Sequence, residues 1–152
     1  MIDREGRDRF ALALRRYASG RIDSDALDEA GLDADWRDRG LNAVCQMAWN
    51  LYPDHAPIRA VGKERIPREG RRQIARWVIF LRSADEYLWP EYRFDGIYWW
   101  PLDLLTFGAY GRRVKRLDAQ FFEAGEFAAW PFIGRQALAL ALKRSRFGRG
   151  AC

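Results

Sequence analysis

Two clusters in the chain hold residue types that do chemistry. The first is Arg82-Ser83-Ala84-Asp85-Glu86-Tyr87. A guanidinium beside two carboxylates makes charge-assisted hydrogen bonds, and a carboxylate kept ionised in this way can serve as a general base. Glu86, Asp85 and Arg82 are therefore the catalytic candidates, and they are weak ones. A structural ion-pair network is the favoured reading of the same groups, because an acid–base site needs a second positioned group and a cleft. On a regular helix the adjacent Asp85 and Glu86 would diverge by about 100°, which argues against a shared divalent metal.

The second cluster is Arg112-Arg113-Val114-Lys115-Arg116, preceded by Trp99, Trp100, Phe107 and Tyr110. Basic residues interleaved with aromatics can track phosphates while rings stack on bases. The same composition suits a helix lying in an anionic lipid interface, or a solvated helix start above ordinary core residues. Three Trp-Pro dipeptides, at Trp89-Pro90, Trp100-Pro101 and Trp130-Pro131, set a large ring before a residue that cannot extend a helix. They read either as chain corners pinned by buried indoles or as an aromatic gripping surface. On the second reading the binding residues are Trp89, Trp99, Trp100, Tyr110, Arg112, Arg113, Lys115 and Arg116.

Other chemistry finds no motif. There is no phosphate loop, zinc spacing, dinucleotide fingerprint or nucleophile elbow; Gly108-Ala109-Tyr110-Gly111 lacks the Gly-Lys-Ser/Thr ending. The single histidine, His55, sits beside Asp54 in an irregular stretch and reads as a solvated turn residue. Cys45 lies on an apolar helical stripe and Cys152 ends the chain, so neither a disulfide framework nor a metal site is expected. No cofactor is expected either.

The elements that position these residues follow from hydrophobic periodicity. The most apolar helix-length stretch is 71–83, where Ile74, Trp77, Val78 and Leu81 recur at i, i+3, i+4 and i+7 and Pro67 suits the helix start. Arg68, Arg71, Arg72 and Arg76 crowd that start, against the helix dipole, so they either are screened or face an anion. An amphipathic helix is predicted over 4–18 with Gly20 as its left-handed cap. A short one follows, capped by Asp23 or Ser24 and running to Ala30. A third starts at Asp33 or Asp35 and runs to Leu51, with Gly40 either weakening it or admitting a close neighbour. Pro101 can open a helix, Val114, Leu117 and Phe121 mark another, and a last one spans 134–144. Residues 87–100 and 126–132 are expected to be extended or to form a short hairpin, the former around Asp95-Gly96.

At 152 residues the chain fits one domain, and a 49% hydrophobic, 14% aromatic composition is too apolar for disorder. The formal net charge of +5 permits attraction to polyanions without demanding it. No segment approaches the about 20 apolar residues of a membrane span. The charged start, Met1-Ile2-Asp3-Arg4-Glu5, has no apolar signal core, so a cytoplasmic location is expected.

Phe80-Leu81-Arg82-Ser83 with Glu86-Tyr87 and Trp89-Pro90 resembles a group of small bacterial proteins of no established activity, in which a comparable helix ends in such a pattern. Leu14 to Ile22 and Glu126 to Phe132 are similar to parts of that group as well. The resemblance implies a fold and no mechanism. The chain departs from the pattern at Ala84, Asp85 and Leu88, where acidic, apolar and acidic residues are expected.

These readings converge on a mainly α domain over 1–144 with a small extended element and a disordered tail over 145–152. The leading function is a non-catalytic bacterial interaction protein that grips a protein partner through an aromatic and Arg surface, as a toxin-neutralising or defence accessory. The alternatives are nucleic-acid binding through Arg112–Arg116 and an enzyme with a carboxylate base near Glu86.

Overall fold

A computed structural model describes residues 1–35, 37–53, 56–90 and 100–147. Seven α-helices appear among them, with no strand. Helix α1 (Arg4–Ala18) starts where the Asp3 carboxylate accepts the Gly6 N–H, and it buries Phe10, Leu14 and Tyr17 on one stripe. Gly20 ends it at φ +71°, the left-handed conformation glycine adopts freely. There its N–H meets the Tyr17 carbonyl at 2.8 Å. Asp23 caps α2 (Ser24–Leu32), which buries Leu27. The return segment around Ile58 and Arg59 pairs briefly with the start of α2.

Helix α3 (Arg39–Ala48) begins later than the Asp33 or Asp35 start that its spacing predicts. The cap is Asp38, whose carboxylate accepts both Gly40 N–H (3.0 Å) and Leu41 N–H (3.1 Å). Asp35 instead closes the preceding turn through Arg37 N–H. The helix ends at Ala48 and tightens into a 3-10 turn, Trp49–Leu51.

Helix α4 (Arg68–Arg82) is the central rod. It buries Ile74, Trp77, Phe80 and Leu81 and packs against α1, α3 and α7. At Gly40 α3 packs tightly against it. A Cβ there would lie 2.8 Å from the Phe80 ring and 2.9 Å from an Arg7 nitrogen. Gly40→Ala should therefore destabilise the fold by about 1–3 kcal/mol through overpacking. Thermal unfolding checks this, and an unchanged melting temperature would mean the helices can slide apart at no cost.

Beyond α4 the chain packs aromatic on aromatic. Trp77 meets Trp130 edge-on with centroids 5.8 Å apart, and Phe80 meets Phe132 at 5.5 Å. Such pairs contribute beyond their area burial. Helices α5 (Trp100–Leu105), α6 (Ala109–Glu123) and α7 (Arg135–Phe147) complete the described chain. The expected extended stretch at 126–132 is instead a 3-10 turn, Phe127–Ala129, leading to a cis Trp130–Pro131 bond. Its N–H groups are used locally: Ala129 bonds Glu126 and Trp130 bonds Phe127, and Pro131 has no donor for a ladder. Helix α7 runs three residues past the predicted end at Arg144. The predicted hairpin at 91–99 and the end of the tail, 148–152, lie outside the described residues, as do Trp36, Asp54 and His55.

Candidate functional site

The Arg82–Tyr87 cluster does not assemble into one constellation. Arg82 is the last residue of α4, and its carbonyl accepts a hydrogen bond from Arg4. Asp85 is half-buried and pairs with Arg144 of α7 at 2.9 Å. Glu86 is exposed and lines a polar hollow of about 180 Å³ with Arg37, Arg39 and Tyr87. Tyr87 is a core residue. Its hydroxyl accepts from the Trp130 indole N–H at 3.2 Å, and burial pushes its phenol up to about 12 despite that bond and the nearby Arg39 charge.

The strongest electrostatic feature of the fold is a pair that the sequence reading did not single out. Arg7 and Asp38 are each only 1% exposed. The guanidinium grips the carboxylate with both arms, Nε to Oδ2 at 2.6 Å and Nη2 to Oδ1 at 2.8 Å. Its remaining arm donates to the Asp85 carbonyl at 3.0 Å, and its carbon sits 5.0 Å over the Phe80 ring. Asp38 also accepts from the Asp3, Gly40 and Leu41 N–H groups. Burial alone would raise the Asp38 carboxyl. The Arg7 bonds and charge and the backbone donors reverse this and hold it below the usual carboxylate value. With every arm engaged, the pair is a structural clamp joining α1, α3 and the segment after α4.

Trp89, expected on a gripping surface, is in the core: it is 0% exposed, its N–H donates to the Phe132 carbonyl at 3.1 Å, and its ring lies 5.1 Å from Phe121. An indole with both its apolar faces and its one donor satisfied inside the protein has nothing left to offer a partner. Trp130 is buried likewise. Two of the three Trp-Pro steps are thus pinned corners. Trp100 opens α5, and Trp99 lies outside the described residues.

The remaining binding candidates share the α5–α6 turn. Asp103 clasps it, accepting Gly108 N–H on its carbonyl and Gly111 N–H on its carboxylate, both at 2.8 Å, and Thr106 Oγ1 accepts Tyr110 N–H at 3.1 Å. Tyr110 is half-buried, whereas Arg112, Arg113, Lys115 and Arg116 are all exposed. Leu104 and Leu105 of α5 and Leu117 of α6 are exposed as well, Phe122 at the far end of α6 packs edge-on against Phe127, and in α6 only Gly111 and Phe121 are buried. At the apex stands Phe107, 92% exposed and held at φ +49°. The left-handed conformation costs a residue with a Cβ about 1–2 kcal/mol, and a bulky one adopts it rarely. Arg112 donates back to the Phe107 carbonyl at 3.4 Å, placing a cation at its base.

Comparison of the chain with protein-family models finds no match, and comparisons with characterised proteins and with solved structures find none. Among the described residues, no helix is long and apolar enough to cross a membrane, and no group of three or more metal-ligating side chains comes together.

Proposed function

We propose that the chain is a non-catalytic interaction protein that docks on another protein through the α5–α6 turn. The observation that carries this is Phe107, almost wholly exposed in a strained backbone conformation. Strained, exposed apices of this kind are kept for contact, and an aromatic ring with arginines beside it is the usual makeup of an interface hot spot. Leu104 and Leu105, exposed in the preceding α5, supply apolar area in the same turn, and Arg112, Arg113, Lys115 and Arg116 supply charge. The partner surface that fits is an apolar pocket edged by carboxylates. Replacing Phe107 by glycine tests the reading with opposite signs. Phe107→Gly should raise stability by about 1 kcal/mol, because glycine accepts positive φ without a Cβ clash, while partner binding falls. A stability loss would mean that the ring serves the fold.

The second reading is nucleic-acid binding, favoured by four exposed cations within five residues. It expects affinity for random DNA or RNA that falls steeply with salt and is abolished by Arg112→Glu with Arg113→Glu. Docking on a protein alone expects no measurable affinity for random DNA or RNA.

A further inference from the structure

The chain carries its own complement to this turn. Between α1, α2 and α3 lies an open groove of about 470 Å³, lined by Phe10, Asp28, Leu32, Asn42, Cys45 and Trp49. Phe10 and Cys45 form its floor, and burial pushes the Cys45 thiol up to about 12, so it stays an uncharged apolar contact. Leu32, 82% exposed, and Trp49, 59% exposed, stand at its rim. The volume suits one large aromatic side chain with its neighbours.

The charges around the two features are opposite in excess, although Asp103 sits in the turn and Arg59 lies 4.0 Å from Asp23 beside α2. Asp28, Gly31 and Leu32 form the groove's α2 side, and residues 23–35 around them hold Asp23, Asp25, Asp28, Glu29, Asp33 and Asp35 and no basic residue. Residues 106–116 hold Arg112, Arg113, Lys115 and Arg116 and no acidic residue. Near the groove, Arg9 donates to the Asp33 carbonyl, Tyr52 donates to the Asp28 carboxylate, and Ser24 lies 3.5 Å from the Asp25 carboxylate. None of these contacts removes the acidic excess of the segment.

We propose that the occupant of this groove is the α5–α6 turn of a second copy of the chain. Phe107 of one copy lies against Trp49 and Leu32 of the next, and Arg112 and Arg113 face the carboxylates of α2. This rests on the reading of the α5–α6 turn as a docking surface and names its partner. The contact joins two different patches, so it is head-to-tail and propagates into a ring or an open chain. A two-fold contact between two α5–α6 turns would instead bring eight cations together, which charge repulsion opposes.

Sedimentation velocity on the full chain at low ionic strength decides the matter. The mass of the wild-type chain should rise stepwise with concentration and fall back with salt. Phe107→Asp removes the inserted ring and Leu32→Asp spoils the groove; both positions are exposed, and circular dichroism confirms that each variant is folded. Each variant should be monomeric at every concentration. An equimolar mixture should form a dimer and nothing larger, because one intact groove meets one intact ring. A wild-type chain that stays monomeric throughout overturns the proposal, as does assembly that persists in either variant. So does a mixture of folded variants that remains monomeric. If the wild type is monomeric while position 107 still cross-links to a different protein, self-association fails and the docking surface stands.

Discussion

Replacing Arg7 by methionine should destabilise the fold by about 3–5 kcal/mol, the range for stranding one member of a buried ion pair. The apolar stem is kept, so most of the loss comes from the Asp38 carboxylate left in a dry site. The Asp3, Gly40 and Leu41 N–H groups still bond it, which keeps the expectation at the lower end of the range. The same pair sets an acid limit. The folded-state value of Asp38 lies below the ordinary carboxylate value, so its contribution is fully present above about pH 4 and is lost as the pH falls through the lower folded value. In Arg7→Met the burial effect is no longer opposed by the guanidinium, and acid unfolding should begin at higher pH. Urea unfolding at pH 7 and at a series of acid pH values reads both effects. A loss under 1 kcal/mol at pH 7 would show that Arg7 is not the partner the geometry makes it.

Trp89→Ala should cost about 3–5 kcal/mol, as for other large-to-small changes at fully buried aromatics. The indole lies against Phe121 and Phe127, and its N–H satisfies the Phe132 carbonyl, so truncation leaves both a cavity and an unpaired acceptor. This outcome separates the two readings of the Trp-Pro steps. A tryptophan that grips a partner could be truncated with little change in denaturant midpoint; a corner pin could not. An unchanged midpoint would return Trp89 to the surface.

The sequence made the rod legible because Ile74, Trp77, Val78 and Leu81 obey a single 3.6-residue period; Ile74, Trp77 and Leu81 are buried with Phe80, and Val78 is partly buried against the same core. Gly20 and Asp23 were legible because a left-handed end and an N-cap are local events that each need a particular residue type. The start of α3 was misplaced because Asp33, Asp35 and Asp38 are all competent caps, and the choice among them depends on Arg7, thirty-one positions away. The clamp itself left one trace: Arg7 shares a helical stripe with Phe10, Leu14 and Tyr17, and a charge on an apolar stripe needs a buried partner. At the candidate surface, the exposure of Arg112, Arg113, Lys115 and Arg116 could be expected from their charge. The prominence of Phe107 could not, since ring and core look alike in a sequence and positive φ at a non-glycine residue follows no local rule.

On the proposed reading Phe107 is presented for contact. The most direct measurement is photo-cross-linking from position 107, in cells that make the protein, with a probe at exposed Leu12 as control. A discrete protein adduct is expected from position 107, lost when Arg112 and Arg113 are changed to glutamate, and none from position 12. No adduct from position 107, or the same diffuse pattern from both positions, would contradict it.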